Sequence, residues 1–538
     1  MINITKPTLR WLFGGVGFHN SEATMTPIMS DEFKNQVVLK AFREISPTYS
    51  RVFAGYADWT KEAMDAFADY YDETFRNAGT LIYAVPGRLP YITDDFDMDK
   101  YSEKVATNLE YLINKRGCTK IRYYCVTNEL SVGNTYAYLA NHLDLFKKLH
   151  ESLYKAFRRH SLDIGLLATD CSGADNFGQI DWAAENMDEI TECYCGHLYS
   201  NKYLPGDLSA YKYYVESFTP PVMTAHSKEK RFVLGEYGLT MQNRFNKFPM
   251  RNDVSYPVDM PELDSIYAIC LCEMAIAAIN TGCMAAVMWT LVDYPDPFIR
   301  ENGDTSEEKA RYDVARFSGF GLDIRYNKNG IIKWCDEEKD YKARSSLYTM
   351  GYMAKLFKKS SRVLHVDWDD ELIRACGVTN PDGTMSFAII NWSKDCNEVK
   401  LNLDFEPGKA MRIYEYEADN VPFNKFNDLQ ASSGTVAITK GENTLTLKPQ
   451  SVTFLTTDYT DREPAKINNI RKKGGVLTWD KCPDKEHTYY RVYASDKKDF
   501  EPTPDTQIAS TVAESLNTES KHKYYKVVSV DKWGNAGK

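Results

Sequence analysis

The chain has 538 residues, of which 43% are hydrophobic and 26% are charged, a composition typical of a folded protein with two or three domains. Lys and Arg number 65 against 75 Asp and Glu, a net charge of −10, so nucleic acid is not an expected partner. The most apolar stretch, 266–279, is too short to span a bilayer and carries Glu273, so no membrane embedding is expected.

The first residues lack the apolar core of a secretion signal. We therefore expect a cytoplasmic protein, or a secreted one whose signal peptide has been removed. None of the twelve cysteines belongs to a CxxC pair, and Cys193 and Cys195, like Cys270 and Cys272, are two apart. Without further ligands nearby, this spacing predicts buried free thiols rather than a zinc site.

Short apolar runs alternate with longer amphipathic segments up to residue 357. Runs that are apolar at nearly every position are typical of strands buried on both faces. An open doubly wound sheet would carry a GxGxxG loop after its first strand, and residues 14–17 do not fit that motif. We therefore predict a (β/α)8 barrel over residues 1–358, with Gly79 and Gly117 capping two of its helices. The predicted strands are 10–18, 49–56, 80–86, 121–127, 163–169, 193–199, 231–237 and 284–292, and helices are predicted at 32–45, 61–77, 99–115, 135–160 and 263–280.

A change of pattern after residue 360 predicts all-β domains. Residues 371–393 alternate apolar and polar side chains around an Asn-Pro-Asp-Gly turn, which is a hairpin signature. Further strand-like runs follow and predict a β-sandwich over residues 359–460. Residues 461–538 form a smaller predicted β unit. With Trp479 in an early strand and Tyr-rich later strands, this unit resembles a fibronectin type III module.

Two carboxylates stand in otherwise apolar strands of the predicted barrel. Glu129 follows Asn128 at the end of the fourth strand, and Glu236 lies in the seventh. Active sites of such barrels lie at the carboxyl ends of the strands, and a buried carboxylate is costly unless it is paired or functional. Two facing carboxylates can cleave a glycosidic bond, one as proton donor and one as nucleophile. The 13% of aromatic residues also suits the binding of sugar rings.

Other residues at the predicted strand ends are candidates for the same site. A structural role is the alternative for each of them: an ion pair for an arginine, a core position for a histidine or tryptophan, a helix cap for an aspartate. The stronger candidates are Arg51, His197, Tyr199 and Trp289, and the weaker ones are His19, Asn20, Asp170, the loop aromatics Trp59, Tyr91 and Trp334, and a candidate lid over 293–341.

These residues together resemble the retaining (β/α)8 glycosidases of glycoside hydrolase clan A, which include families 5, 30, 39 and 51. Asn128–Glu129 matches the Asn-Glu pair on the clan's fourth strand, and Glu236 matches the Glu on its seventh. The resemblance implies that Glu129 is the acid/base, that Glu236 is the nucleophile and that Asn128 binds the sugar 2-hydroxyl. Leu130 stands where many members have Pro, and the family and the substrate stay open.

The resemblance also implies roles for the neighbouring side chains. Arg51 would keep Glu236 ionised, Tyr199 would orient the same carboxylate, and His197 would line the site. Trp289 would be the surface on which the sugar in the cleaved subsite stacks. The β-sandwich after the barrel fits as well, because several of these families carry one.

We therefore expect a retaining glycosidase for β-linked, or stereochemically equivalent α-L-linked, oligosaccharides or polysaccharides, without a cofactor or metal. Glu129 is expected to have a raised pKa, and Glu236 is expected to stay ionised beside Arg51. A non-catalytic carbohydrate-binding protein on a retired barrel and a transglycosylase are the open alternatives. A serine hydrolase or a zinc protease finds no support, since GxSxG and HExxH are absent.

Overall fold

The structure is a computed structural model of the chain. It describes residues 1–6, 12–20, 30–86, 92–131, 138–200, 208–239, 261–292, 294–295, 326–327, 331–332 and 342–537.

Eight parallel strands close into a barrel in which each strand pairs with the next along the chain and the last pairs with the first. Two short strands, β1 (Ile2–Thr5) and β2 (Leu12–Phe13), precede the barrel. The barrel strands are β3 (Val16–His19), β4 (Tyr49–Phe53), β5 (Leu81–Val85), β6 (Ile121–Cys125), β7 (Gly165–Ser172), β8 (Cys193–Ser200), β9 (Phe232–Leu239) and β10 (Ala285–Met288). The predicted (β/α)8 barrel is confirmed.

A helix follows each barrel strand and covers the outside of the barrel. They are α1 (31–45, with a π-helical turn at Lys34–Val38), α2 (Lys61–Thr74), α3 (Met98–Glu110, continued by a π-helical turn at Tyr111–Lys115), α4 (Leu143–Arg159), α5 (Gly178–Asn186), α6 (Leu208–Ser227), α7 (Pro261–Thr281) and α8 (Leu347–Leu356). Two short strands, β11 (Tyr294–Pro295) and β12 (Tyr326–Asn327), pair after β10.

The helix starts are encoded locally. The side chains of Ser30, Thr60 and Asp97 accept hydrogen bonds from backbone amides in the first turns of α1, α2 and α3. Gly117 has φ +72° after α3, as a left-handed cap requires. The prediction for Gly79 is wrong, because α2 ends at Thr74 and Gly79 has no positive φ.

The barrel interior is filled by alternate residues of the strands. Tyr83, Leu167, Cys195 and Val233 belong to this inner cluster, while the opposite faces of the same strands pack against the helices. Both faces are therefore buried, which is why the strands read as continuous apolar runs. Cys193, Cys195, Cys270 and Cys272 are buried free thiols, as the spacing predicted.

Helix α7 lies between the barrel and the following sandwich. Its segment Asp264–Thr281 is long and apolar enough to cross a membrane, but 72% of it is buried inside the structure. Its carboxylate Glu273 binds Arg374 at 2.7 Å and accepts a hydrogen bond from Trp392 Nε1 at 3.1 Å, both from the sandwich. The apolar run is thus explained by burial between two domains.

The β-sandwich takes two of its strands from the start of the chain. Strand β1 lies between β14, antiparallel to it, and β17, parallel to it, and β2 pairs with β13. Strands β1 and β2 fall within the predicted barrel unit, but both pair with strands of the sandwich. The sandwich strands are β13 (Ser361–Val363), β14 (His365–Trp368), β15 (Ile373–Thr379), β16 (Met385–Asn391), β17 (Asn397–Leu403), β18 (Met411–Glu417), β19 (Gly434–Val436), β20 (Gly441–Leu447) and β21 (Ser451–Thr456).

The last unit consists of two three-stranded antiparallel sheets, ordered β22-β23-β26 and β25-β24-β27. Their strands are β22 (Arg471–Lys473), β23 (Val476–Thr478), β24 (His487–Ser495), β25 (Gln507–Thr511), β26 (Ser515–Asn517) and β27 (Tyr524–Asp531). The likeness to a fibronectin type III module stays a prediction. We keep the proposed domain limits at residues 358 and 460, because they fall between α8 and β13 and between β21 and β22.

The last unit packs directly on the barrel. Leu39 of α1 is buried in a cluster with three residues of this unit, Tyr489, Val512 and Val530. The neighbouring Lys40 is fully buried and binds Glu44 at 2.6 Å and Asp428 of the sandwich at 2.8 Å. Asp428 also binds Arg491 of the last unit at 2.8 Å, and Tyr489 donates to Glu44 at 3.2 Å. One buried network of charges therefore joins all three domains.

We predict that Glu273→Ala destabilises the protein strongly. The change leaves the Arg374 guanidinium buried without its carboxylate, which costs about 3–5 kcal/mol. Urea unfolding of the full chain measures the loss. The matched control is Glu151→Ala, which breaks two exposed pairs, with Lys147 and with Lys155, both at 4.0 Å, and is expected to cost about 0.5 kcal/mol or less. Equal losses in the two variants would contradict the role of α7 as a pinned interface helix.

Candidate active site

The predicted site residues converge at the carboxyl ends of the barrel strands. They come from five strands and from the segments that follow three strands. His19 is on β3, Arg51 on β4, His197 and Tyr199 on β8 and Glu236 on β9, while Asn20, Asn128, Glu129 and Trp289 follow β3, β6 and β10. Asp170 on β7 lies among them.

Arg51 is the centre of this arrangement, with a side chain that is 0% exposed. Its Nη1 forms an ion pair with Glu236 and lies 3.2 Å from His19 Nδ1. Its Nη2 donates to Asn128 Oδ1 at 2.6 Å and to Asp170 Oδ2 at 3.0 Å. The planar guanidinium is held in one orientation by these partners. The predicted contact between Arg51 and Glu236 is present.

The two predicted catalytic carboxylates lie side by side. A carboxylate oxygen of Glu129 and one of Glu236 are within 4.8 Å of each other, and the Nδ1 atom of His197 contacts both. That nitrogen is 3.2 Å from Glu129 Oε1 and 3.5 Å from Glu236 Oε2. Tyr199 donates to Glu236 Oε2 at 2.7 Å. The side chain of Glu129 is 21% exposed and that of Glu236 only 5%, so Glu129 is the more open to solvent.

Glu129 has φ +57°, a left-handed backbone that non-glycine residues adopt at a cost of about 1–3 kcal/mol. Asp170 also has φ +57°. The pairing of β7 with β8 shifts register between Thr169 and Cys171, and the pairing of β8 with β9 shifts next to His197. Such bulges re-aim side chains, and here they turn Asp170 and His197 toward the site.

Asp170 has a larger part in the site than the sequence suggested. It is fully buried within β7, and it does not cap a helix. Its Oδ1 accepts hydrogen bonds from His197 Nε2 at 2.9 Å and from the Tyr83 hydroxyl, and its Oδ2 binds Arg51. The helix-cap alternative is therefore wrong. The available sequence signal was a single Asp inside an otherwise apolar strand.

The direction of the pKa shift differs from the expectation for Glu129. Burial raises the pKa of Glu129, but the hydrogen bond and positive charge of His197 outweigh it and leave the pKa below its usual value. Burial also raises the pKa of Glu236, and the cations Arg51 and His197 offset this only in part. The expectation failed because it placed anions beside Glu129 and did not include a histidine cation.

His197 is that cation. Burial lowers its pKa, but the charges of Asp170 and Glu236 and the hydrogen bonds to Asp170 and Glu129 raise the pKa to about 10. Burial together with the positive charges of Arg51 and His197 holds the pKa of His19 well below its usual range. His19 is therefore neutral where His197 is charged.

Aromatic rings form one wall of the site. The Trp289 ring lies 4.2 Å from the His19 ring and 5.7 Å from the Phe53 ring, measured between centroids. Asn20 is buried beside them, and its Oδ1 accepts from Tyr70 at 3.3 Å, while its Nδ2 has no hydrogen-bond partner among the described residues.

Trp59 lies away from this wall. Its ring packs on Tyr56 and Phe67, so it is a packing residue in this structure rather than a stacking surface. The predictions for Tyr91 and Trp334 lie outside the described residues. So does the candidate lid over 293–341, apart from the short pieces at 294–295, 326–327 and 331–332.

Two glycines flank the Glu236–Tyr237 pair and make room for its neighbours. A Cβ atom at Gly235 would lie 3.2 Å from Asp170 Oδ1 and 3.3 Å from His197 Nε2. A Cβ atom at Gly238 would lie 3.0 Å from the Tyr199 ring. Both contacts are tighter than an added Cβ normally accepts. The Gly-Glu-Tyr-Gly sequence of β9 thus lets the side chains of β7 and β8 approach Glu236.

Two sets of side chains have the spacing of metal ligands. One is Glu129, His197 and Glu236, and the other is Cys125, Asp170 and Cys195. In the first set both ring nitrogens of His197 already face carboxylate oxygens, and a doubly protonated imidazole has no lone pair for a metal. In the second set the carboxylate of Asp170 is already bound by Arg51 and His197, so it is not available as a metal ligand.

No protein-family model matches the chain, and no curated protein sequence matches it. Solved structures match its fold at low sequence identity. The catalytic domain of GH30 xylanase C from Talaromyces cellulolyticus is 13% identical, with a TM-score of 0.56, over 85% of this chain and 99% of that chain. The α-L-arabinofuranosidase of Thermotoga maritima gives the same identity, TM-score and coverage. A family 51 α-L-arabinofuranosidase from Bifidobacterium longum is 12% identical, with a TM-score of 0.57, over the same shares of the two chains.

At this identity the likeness shows the fold alone. The chain therefore has the barrel-and-sandwich fold of the glycoside hydrolases of families 30 and 51, as the resemblance to clan A predicted.

Proposed function

We propose that the protein is a retaining glycoside hydrolase that cleaves β-linked, or stereochemically equivalent α-L-linked, O-glycosides of oligosaccharides or polysaccharides. The observation that carries the proposal is the distance of at most 4.8 Å between carboxylate oxygens of Glu129 and Glu236. Retaining enzymes have carboxyl groups about 5–5.5 Å apart, whereas inverting enzymes hold them about 6.5–9.5 Å apart to admit a water. The short distance favours direct attack by one carboxylate.

The surroundings of the two carboxylates support a division of roles. Glu236 is the more buried and is bound by Arg51 and Tyr199, which orient one carboxylate for attack on the anomeric carbon. Glu129 is the more exposed and can reach both the departing oxygen and, later, a water. Asn128 Oδ1 is taken by Arg51, which leaves its amide nitrogen to donate to a sugar 2-hydroxyl.

The two carboxylates titrate as a pair, because both contact His197. In the protein alone the pKa of Glu236 is raised and that of Glu129 is lowered, the reverse of the order that suits a proton donor at Glu129. A bound sugar covers the exposed side of Glu129 and raises its pKa by desolvation. The electron-poor anomeric carbon meanwhile favours an ionised Glu236. Substrate binding thus favours a protonated Glu129 beside an ionised Glu236.

The substrates of the structural neighbours fit this proposal. These neighbours are named as xylanases and α-L-arabinofuranosidases, which together cover both linkage types in the proposal. Trp289, with His19 beside it, offers an aromatic wall for a sugar ring. We propose carbohydrate as the binding partner and require no metal or cofactor for the reaction.

We predict that Glu236→Gln abolishes hydrolysis of whichever aryl glycoside the wild type cleaves. Loss of the nucleophile is expected to lower kcat by at least ~10⁴-fold. The measurement is a panel of aryl glucosides, xylosides, mannosides, galactosides, arabinofuranosides and galactofuranosides. The matched control is Glu192→Gln, an exposed carboxylate before β8 at the opposite end of the barrel, which is expected to keep full activity.

Full turnover by Glu236→Gln would refute the assignment of the nucleophile. If the folded wild type cleaves no aryl glycoside, polysaccharides are tested next, since an endo-acting enzyme needs several occupied subsites. Binding of a polysaccharide without any cleavage would replace the proposal with the non-catalytic binding protein.

We predict that Glu129→Ala spares substrates with activated leaving groups and that azide rescues the variant. A good leaving group needs no proton, so the glycosyl-enzyme still forms, while its hydrolysis slows by about 10²–10⁴-fold without the general base. Azide then attacks the intermediate. The proton NMR spectrum is expected to show a glycosyl azide with the configuration of the substrate. A product of inverted configuration would exclude the covalent intermediate.

A further inference from the structure

We infer that Asp170 is a positioning residue that fixes His197 as a cation, so that one imidazolium serves Glu129 and Glu236 in turn during the reaction. The catalytic role of the imidazolium rests on the proposed function, whereas the charge of His197 does not depend on any substrate.

The hydrogen-bond geometry favours a doubly protonated ring while Asp170 and Glu129 are both ionised. His197 Nε2 faces Asp170 Oδ1 at 2.9 Å, and His197 Nδ1 faces Glu129 Oε1 at 3.2 Å. Ionised carboxylates only accept hydrogen bonds, and a neutral imidazole has one donor. Two carboxylate partners on opposite nitrogens are therefore satisfied together only by the imidazolium form. Of the two carboxylate partners, Asp170 is the one that takes no part in the reaction.

Asp170 is itself fixed from three sides. Tyr83 donates to its Oδ1, Arg51 binds its Oδ2, and the missing Cβ of Gly235 leaves room for its contact with His197. The side chains of Asp170 and His197 are both 0% exposed. In such a buried site an ion pair with good geometry is strong, and an unpaired charge is costly. Asp170 can therefore hold the charge on His197 over a wide pH range.

The charges of the cluster explain why a cation is useful at this position. Arg51 and His197 are positive and Asp170 is negative, which leaves one net positive charge on the fixed frame. Before attack the single reacting negative charge is on Glu236. In the glycosyl-enzyme Glu236 is esterified, and the negative charge is on Glu129, which has given its proton to the leaving oxygen. The fixed frame neutralises the buried cluster in both states.

His197 can follow this charge without a large movement. Its Nδ1 is 3.2 Å from Glu129 and 3.5 Å from Glu236. A small rotation of the ring therefore makes either carboxylate the nearer one. A neutral His197 would leave one uncompensated negative charge in the buried cluster in either state. The transition state, in which the charge passes between the two carboxylates, would lose the same stabilisation.

The charged groups around His197 favour its cationic form. The groups that act on it are Asp170 and Glu236, which raise its pKa by their charges, Glu129, which raises it through a hydrogen bond, and the nearby Arg51 and the neutral His19.

The test is Asp170→Asn in the full chain. Asn keeps the volume and one acceptor oxygen but removes the charge, so the pKa of His197 is expected to fall from about 10 toward about 6.5. At neutral and higher pH the variant then loses the cation. We expect kcat to fall by ~100-fold or more at pH 8 with KM changed less than about threefold, and to fall clearly less near pH 5.5, where His197 is protonated again.

The matched control is Asp188→Asn. Asp188 also accepts a tyrosine hydroxyl, from Tyr194 at 2.6 Å, and binds the cation Lys230 at 2.9 Å, but it lies away from the site. It is expected to change neither kcat nor its pH profile. A loss in Asp170→Asn that is equal at all pH values would mean that Asp170 has a structural role only, and would overturn the inference.

A second readout does not depend on activity. Histidines labelled with ¹⁵N report their protonation state by NMR, and His197→Gln identifies the signal of His197. In the wild type this signal is expected to remain that of an imidazolium from pH 6 to about 9, and in Asp170→Asn it is expected to titrate near pH 6.5. Titration of His197 near 6.5 in the wild type would overturn the inference.

The two readouts separate this inference from the proposed function. If no glycoside is cleaved, the proposed function fails, and the NMR titration of the wild type still decides whether His197 is a fixed cation. If Asp170→Asn does not fold, His197→Gln replaces it in the kinetic test, because it removes the cation and leaves the ion pair of Asp170 with Arg51 intact. Full activity of His197→Gln at pH 8 would overturn the role of the cation.

Discussion

The burial of Arg51 is the constraint on which the rest of the site depends. A guanidinium without exposed surface must be surrounded by acceptors, since an unpaired buried charge costs several kcal/mol. The acceptors come from four different strands or strand ends: Glu236, Asp170, Asn128 and His19. The barrel supplies this convergence because its strands all end at the same rim. Placing one cation therefore determines where four further side chains of the site lie.

Backbone irregularities adapt the regular barrel to this task. A uniform strand would point every second residue into the apolar interior, where Tyr83 and Cys195 lie. The register shifts beside Asp170 and His197 break this alternation only near the rim, and the positive φ of Glu129 turns its side chain at the end of β6. The apolar core below is left intact. These two shifts therefore lie in the part of the barrel that carries the charges.

The sequence predicted the barrel and the approximate place of its polar residues because both follow from local pattern. Each of the eight apolar runs is a strand, and residues at the ends of parallel strands meet whatever the details of packing. What could not be predicted depends on contacts between distant segments. Asp170 looks like any residue at a strand end until Arg51 and His197 are seen on either side of it. The pKa order of Glu129 and Glu236 depends on the protonation of His197, which is set by Asp170. The pairing of β1 with β14 and β17 leaves no signal in either segment.

The place of β1 in the sandwich has a consequence for how the chain reaches its fold. This strand leaves the ribosome before the entire barrel, but both of its partner strands are synthesised after the barrel is complete. During synthesis its native partner strands are absent, and the segment must stay unpaired while eight parallel strands assemble behind it. The sandwich is then completed by a strand that precedes the barrel in the sequence, so the strands that pair are separated by the whole barrel along the chain. Premature pairing of β1 with a forming edge of the barrel is the characteristic misfolding risk of this arrangement.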